Sequence, residues 1–290
     1  MALRSYSFTV EPDCSGSTLK TFLRRECGLS ARSMTVLKYS DTGGITRCGI
    51  ELRAHDIVNA GDIINIILPP DNNDAEPVEG VLDILYEDDH ILAVNKPFGM
   101  PVHPVKVHQT DTLSNIVSYY QQSRGESYTF RALNRLDKDT SGCVLIAKDR
   151  IAYSLIRPTV KKTYIALCEG IIKESGVIDA PIALEDGSKI KRRISAGGLS
   201  AVTHYRPLEY GNSHTLCEMW LETGRTHQIR CHMSGIGHPL AGDDLYGGSL
   251  EYISRQALHC NSVVFEHPVS REDILLNTDI PAVFIQILQI

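Results

Sequence analysis

The 290-residue chain predicts an α+β protein in two units. Short apolar strand-like runs outnumber helical ones, turn residues separate them, and a proline-rich acidic stretch divides the chain near residue 70. With 42% hydrophobic and 22% charged residues, the chain is a soluble globular protein long enough to bury a substantial core.

Residues 1–70 form the first unit. Leu19, Phe22 and Leu23 share a helical face after Ser17-Thr18, and Ser30 opens a second helix carrying Met34 and Leu37. Gly43-Gly44 ends that pattern, and Ile45 to Leu68 reads as short strands joined at turns. Arg24, Arg25, Arg32 and Lys38 fall in the helices. Residues 71–79 combine proline with acidic side chains and lack apolar periodicity, which is the composition of a linker. It is expected to lie away from any catalytic cleft and to let the two units move. In residues 80–290, Val81 to Tyr86 and Ile91 to Val94 flank a polar turn as a hairpin. A helix carries Leu113, Ile116, Val117 and Tyr120, with Asp111 as its expected N-cap. Strands follow at Cys143–Ala147, Tyr164–Cys168, Ala201–Leu208, Thr215–Leu221 and Val263–Phe265.

The formal charge of −6 would disfavour a polyanionic partner if it were spread evenly. It is not: residues 1–70 carry +1, 71–90 carry −8 and 91–290 carry +1, whereas 124–230 carry +5. Eight dispersed cysteines without a C-x-x-C pair fit free thiols in a reducing cytoplasm. The N-terminus lacks a signal-peptide core, and no apolar run is long enough to span a bilayer, so a cytoplasmic location without membrane contact is expected.

Neither G-x-x-x-x-G-K-[ST] nor G-x-G-x-x-G occurs, which removes the usual support for nucleotide hydrolysis or dinucleotide chemistry. His227, His232 and His238 lack the spacing of a zinc site, and no metal is expected. Two segments could carry chemistry. Leu133 to Gly142 places Asp137, Asp139, Thr140 and Ser141 in a loop before an apolar strand, either as a catalytic edge or as a turn satisfying its own backbone. Glu222 to His232 sets Arg225 and Arg230 among polar side chains able to bind phosphate or a carboxylate. Lys189 to Arg193 is a basic run open to a polyanion or simply solvated.

The string Asn134-Arg135-Leu136-Asp137-Lys138-Asp139-Thr140-Ser141-Gly142 resembles the H-R-L-D-x-x-T-S-G motif of RluA-type RNA pseudouridine synthases, with Asn134 where many members carry His. Four more signatures follow in that family's order: Asn95-Lys96-Pro97 with Gly99 and Pro101 to Pro104, Lys161 to Ala166, Gly224 to Arg230, and Gly237 to Asp243 with Leu245-Tyr246-Gly247. Leu258-His259 and His267-Pro268 complete a resemblance covering about residues 80–270. Residues 1–70 resemble a ribosomal-S-four-type RNA-binding domain in degenerate form, because Thr46-Arg47-Cys48-Gly49 replaces the usual Val-Asn-Gly turn.

The resemblance implies a pseudouridine synthase fold, with a curved, mostly antiparallel central sheet and flanking helices behind a small α+β RNA-binding domain. It makes Asp137 the catalytic carboxylate, Tyr164 the stacking surface for the uracil and Arg230 the partner of Asp137. Ile229 would pack beneath the base, and Arg135 would enter the gap left by the flipped nucleotide. Arg225, His227 and Thr140 join the substrate-binding set. The substrate would be uridine in structured RNA, ribosomal before transfer RNA, handled by a monomer. Isomerisation breaks the bond from ribose to ring nitrogen and rejoins the ring through carbon 5; nothing is oxidised, so no cofactor and no nucleotide are expected. Attack on sugar and attack on base both remain open. Two other readings use the same residues: a non-catalytic RNA-binding or ribosome-assembly factor, and a nucleosidase that would need a second acid, for which Asp139 is the candidate.

Overall fold

The computed structural model describes residues 4–29, 31–38, 44–73 and 75–290. Ser30 and Gly43, expected to open a helix and to break one, lie outside the described residues, as do the side chains of Arg32 and Lys38.

The first unit runs β1 (Ser5–Thr9), α1 (Leu19–Arg25), α2 (Ala31–Lys38), β2 (Gly44–Arg47), β3 (Ile50–Glu51) and β4 (Ile63–Ile67). The strands form an antiparallel sheet in the order β1-β4-β2-β3. Strand β1 is an addition to the expected two helices and following sheet; its alternation buries Tyr6 and Phe8. Leu19, Phe22 and Leu23 are buried as the helical spacing requires, and Thr18 caps α1 by accepting from Thr21 N–H at 3.3 Å. The unusual β2–β3 turn keeps hairpin geometry because Cys48 and Gly49 both adopt left-handed backbone, at φ 51° and 78°.

The second unit opens with the expected hairpin, β5 (Ile84–Glu87) and β6 (Ile91–Lys96), its first strand beginning three residues later than the sequence suggests. Next come α3 (Leu113–Ser123), β7 (Arg131–Ala132), β8 (Ser141–Ala147), α4 (Arg150–Ile156), β9 (Lys161–Glu169), β10 (Gly176–Asp179), β11 (Ile182–Leu184) and β12 (Arg192–Ile194). The chain ends with β13 (Val202–Tyr210), β14 (His214–Leu221), α5 (Gln228–Gly235), β15 (Leu258–Glu266), β16 (Asp273–Asn277) and α6 (Ala282–Leu288). Asp111 does not cap α3. Thr112 takes that position, its N–H donating to the Asn115 side-chain oxygen at 3.2 Å, while Asp111 binds His108 Nδ1 at 2.5 Å.

Ten strands form one sheet along the path β10-β13-β14-β9-β15-β8-β6-β5, with β16 on β15 and β7 on β8. Its pairings are antiparallel except β8 with β15, where His259 faces Ser141 and Cys260 faces Gly142. This seam is tight. A methyl group on Gly142, whose φ is +112°, would lie 2.3 Å from the Cys260 carbonyl oxygen. Side chains lock the same place: Ser141 Oγ lies 2.8 Å from His259 Nδ1, and His259 Nε2 lies 2.7 Å from Thr278 Oγ1. Thr278 gives its own proton to a backbone carbonyl, so its oxygen accepts from His259 Nε2–H, and Nδ1 accepts from Ser141.

The two units are joined by more than a tether. Tyr6 O–H donates to Asp149 Oδ2 at 2.8 Å, and Asp149 Oδ1 caps α4 through Ile151 and Ala152 N–H. Ile151 is fully buried in the first unit's core. The acidic stretch is not the free spacer its composition suggests. Asp71 pairs with Arg131, Ser118 Oγ donates to Ala75 O at 2.7 Å, and Asn115 Nδ2 donates to Glu76 O at 2.8 Å. The described residues of this stretch are thus strapped to α3 and β7.

Burial, aided by the Arg255 charge, pulls the His259 imidazole from 6.5 down to about 4. Between those values the unfolded chain binds a proton that the folded chain refuses, so this contribution is intact above pH 6.5 and declines as pH falls. The expected loss by pH 4 is on the order of 3 kcal/mol. Urea unfolding from pH 4 to 7 should show His259→Gln losing that share of the pH dependence; an identical slope in both proteins would contradict the assignment.

Candidate active site

The loop between β7 and β8 is built on its own strand. Buried Asn134 behaves as an extra peptide: its Nδ2 donates to Cys143 O at 2.9 Å and its Oδ1 accepts from Leu145 N–H at 2.8 Å. Thr140 N–H closes the turn onto Asp137 O at 3.1 Å. Beneath the loop, fully buried Lys96 donates to the carbonyls of Pro97, Met100 and Lys138 at 2.8, 2.8 and 3.1 Å. Burial pulls the Lys96 ammonium down to about 7 against the charges of Asp139 and Asp137. Burial therefore opposes the charge, whereas the three carbonyl acceptors match the three hydrogens of an ammonium and favour it.

The opposite wall comes from the 222–230 segment and α5. Gln228 organises it: its Oε1 accepts from Thr223 Oγ1 and Arg225 N–H, both at 2.9 Å, and its Nε2 donates to Val202 O at 2.9 Å. His227 enters the helix in left-handed backbone, φ 56°, a conformation that non-glycine residues adopt where the surroundings impose it. Arg230 is buried on α5. Its Nε and Nη2 form a two-point bond to buried Asp243, at 2.7 and 2.8 Å, and its Nη1 lies 3.4 Å from Asp137 Oδ2. Its guanidinium also sits over the Tyr246 ring, 5.0 Å from the centroid. Burial opposes the Arg230 charge, but the hydrogen bonds and charge of Asp243, followed by Asp137, hold its pKa above the ordinary value.

The eight sequence-singled residues line one cleft: Arg135, Asp137, Thr140, Tyr164, Arg225, His227, Ile229 and Arg230. Leu136, Leu221 and Leu258 supply further apolar wall, and none of the described residues of 71–79 lines it. Asp137 is partly exposed at this surface, while Arg135 and Arg225 are solvent-facing. Burial raises the Tyr164 phenol well above its ordinary value, with Cys260 and Asp137 adding to the effect, so it stays a neutral ring. Thr140 is buried and accepts from Gln256 Nε2 at 3.3 Å. The sequence reading did not assign Lys96, Asp243 or Tyr246, although each falls inside a quoted motif. It also paired Arg230 with Asp137 alone, whereas the closer partner is Asp243.

The basic run lies on the β11–β12 hairpin. Lys191 pairs with Glu185 at 3.2 Å and Arg193 with Asp186 at 2.9 Å. Arg192 lines a second cleft of about 400 Å³ that shares Arg225 with the first.

A carboxylate beside a fixed cation, with an aromatic wall and apolar floor, can attack or stabilise a reacting sugar or base without a metal. The RNA pseudouridylate synthase family matches residues 90–235. An uncharacterised RNA pseudouridine synthase of Bacillus subtilis, YhcT, is 42% identical over 235 residues, 78% of each chain. The ribosomal large subunit pseudouridine synthase D of Pseudomonas aeruginosa is 36% identical over 272 residues, covering 86% of this chain and 84% of its own. Among solved structures, human RNA pseudouridylate synthase domain containing 1 superposes with a TM-score of 0.58 at 25% identity, covering 72% of this chain and 90% of its own. The chain therefore belongs to the RNA pseudouridylate synthase family, in its RluA-type branch, and is an RNA pseudouridine synthase.

Proposed function

We propose that the enzyme converts specific uridines of structured ribosomal RNA to pseudouridine, with Asp137 as the reacting carboxylate. The observation that carries this reading is the convergence of eight motif residues from separate segments on the single cleft around Asp137. The relatives named for the ribosomal large subunit favour ribosomal over transfer RNA.

The target uridine has to leave its stack to expose both the glycosidic bond and carbon 5, at a cost of a few kcal/mol. Stacking on Tyr164, worth about 1–3 kcal/mol, offsets part of this. Ile229 and Leu258 exclude water from the ring, and Arg135 at the exposed rim fills the vacated position. Asp137 is the reacting carboxylate, with the permanent charge of Arg230 beside it at 3.4 Å. The bond from ring nitrogen to ribose breaks, the ring turns within the cleft, carbon 5 bonds to that same ribose carbon, and the proton lost from carbon 5 is balanced by one gained at the freed ring nitrogen. Arg225 at the mouth holds backbone phosphate, and the first unit adds an RNA-binding surface in the manner of the domain it resembles.

Asp137→Asn should lower turnover by at least about a thousandfold while leaving RNA binding largely intact. Pseudouridine mapping across total RNA, in cells lacking the gene and complemented with wild-type or Asp137→Asn protein, checks this. Restoration of the same sites by both proteins would remove Asp137 from the chemistry, and sites confined to transfer RNA would overturn the proposed target. Arg225→Ala should weaken RNA binding uniformly and flatten the salt dependence by about one unit of log K per log salt. Titrations from low to high salt measure it.

A further inference from the structure

The contacts of Tyr246 fix where a proton sits next to Asp137. The backbone N–H of Arg192 donates to the Tyr246 phenol oxygen at 2.8 Å. The phenol's own hydrogen is then available to its other neighbour, His227 Nδ1, 3.1 Å away. Burial holds the His227 imidazole below its ordinary value, and Arg230 and Arg192 act in the same direction, against the pull of Asp137 and Asp243. The ring is therefore neutral near pH 7, and a neutral imidazole that accepts at Nδ1 carries its hydrogen on Nε2.

That Nε2 faces Asp137. It lies 3.8 Å from Oδ2, the oxygen that Arg230 Nη1 approaches at 3.4 Å. The Tyr246 ring also stands edge-on to His227, 5.7 Å between centroids, and beneath Arg230, so one side chain supports both groups that converge on the carboxylate. We infer that His227, its tautomer set by Tyr246, is a positioning residue whose Nε2–H steadies Asp137 Oδ2 beside Arg230 and leaves Oδ1 turned toward the uridine. The inference rests on the reading of Asp137 given above and replaces the substrate-contact role that the motif implies for His227. Closing the gap to a hydrogen bond takes a movement of about 1 Å, of the kind that accompanies formation of a reacting complex.

Nitrogen-15 NMR of imidazole-labelled protein without RNA should show His227 as the Nε2–H tautomer, and Tyr246→Phe should admit the Nδ1–H form. In single- and multiple-turnover assays on RNA, Tyr246→Phe and His227→Ala should lower kcat on the order of 10- to 100-fold with KM unchanged. His227→Gln, whose amide N–H can occupy the place of Nε2–H, should recover most of that loss. The Tyr246→Phe deficit should shrink as pH falls, because the imidazolium carries hydrogen on both nitrogens. An Nδ1–H tautomer in the wild type, or a loss confined to KM, overturns the inference. Absence of pseudouridine from wild-type reactions on ribosomal RNA despite the Nε2–H tautomer would instead overturn the proposed function on which the inference rests.

Discussion

The two-point bond between Arg230 and Asp243 is the interaction on which the site depends. Both groups are buried, and removing one partner of such a pair typically costs about 3–5 kcal/mol because the other charge is stranded. The bond uses Nε and Nη2, which fixes the plane of the guanidinium and delivers Nη1 to Asp137. A lysine could supply the charge but not two parallel bonds and a third donor in a set direction. Asp243 reaches this position because Gly242, at φ +76°, lets the chain turn where a methyl group would lie 2.0 Å from the Arg255 carbonyl oxygen.

A second constraint aims the carboxylate from the other side. The parallel β8–β15 seam allows no side chain at Gly142, and the Ser141–His259–Thr278 chain fixes its register. The Asp137 loop leaves this seam with Asn134 stitched to β8 and Lys96 holding Lys138 O from below. The loop is therefore held on both sides by hydrogen bonds of buried Asn134 and Lys96. Preorganisation of this kind suits a carboxylate and a fixed cation to stabilising charge that develops on a bound group.

Much of this was legible in the residues. Periodicity located α3 through Leu113, Ile116, Val117 and Tyr120, alternation and turns located the main strands, and the ordered motifs brought all eight site residues to one cleft. What escaped has a common physical cause: it depends on pairing between distant segments or on backbone acceptors, which leave no mark in sequence. Asp243 pairs with Arg230 across a turn, Lys96 binds three carbonyls, and the strap is held by Asp71 on Arg131 together with the carbonyls of Ala75 and Glu76. Composition marked that stretch as a linker but could not reveal that it is tied down. Strand β1 escaped because Ser-Tyr-Ser-Phe-Thr is short and acquires its register only against β4.

The most direct test of the central dependence is a double-mutant cycle on kcat/KM with Arg230→Lys and Asp243→Asn, Asp137 being left intact. If Asp243 acts by holding Arg230, the double variant should be little worse than either single one, with a coupling of about 2–3 kcal/mol. Losses that simply add would mean that the two residues act independently and that Asp137 is aimed by something else.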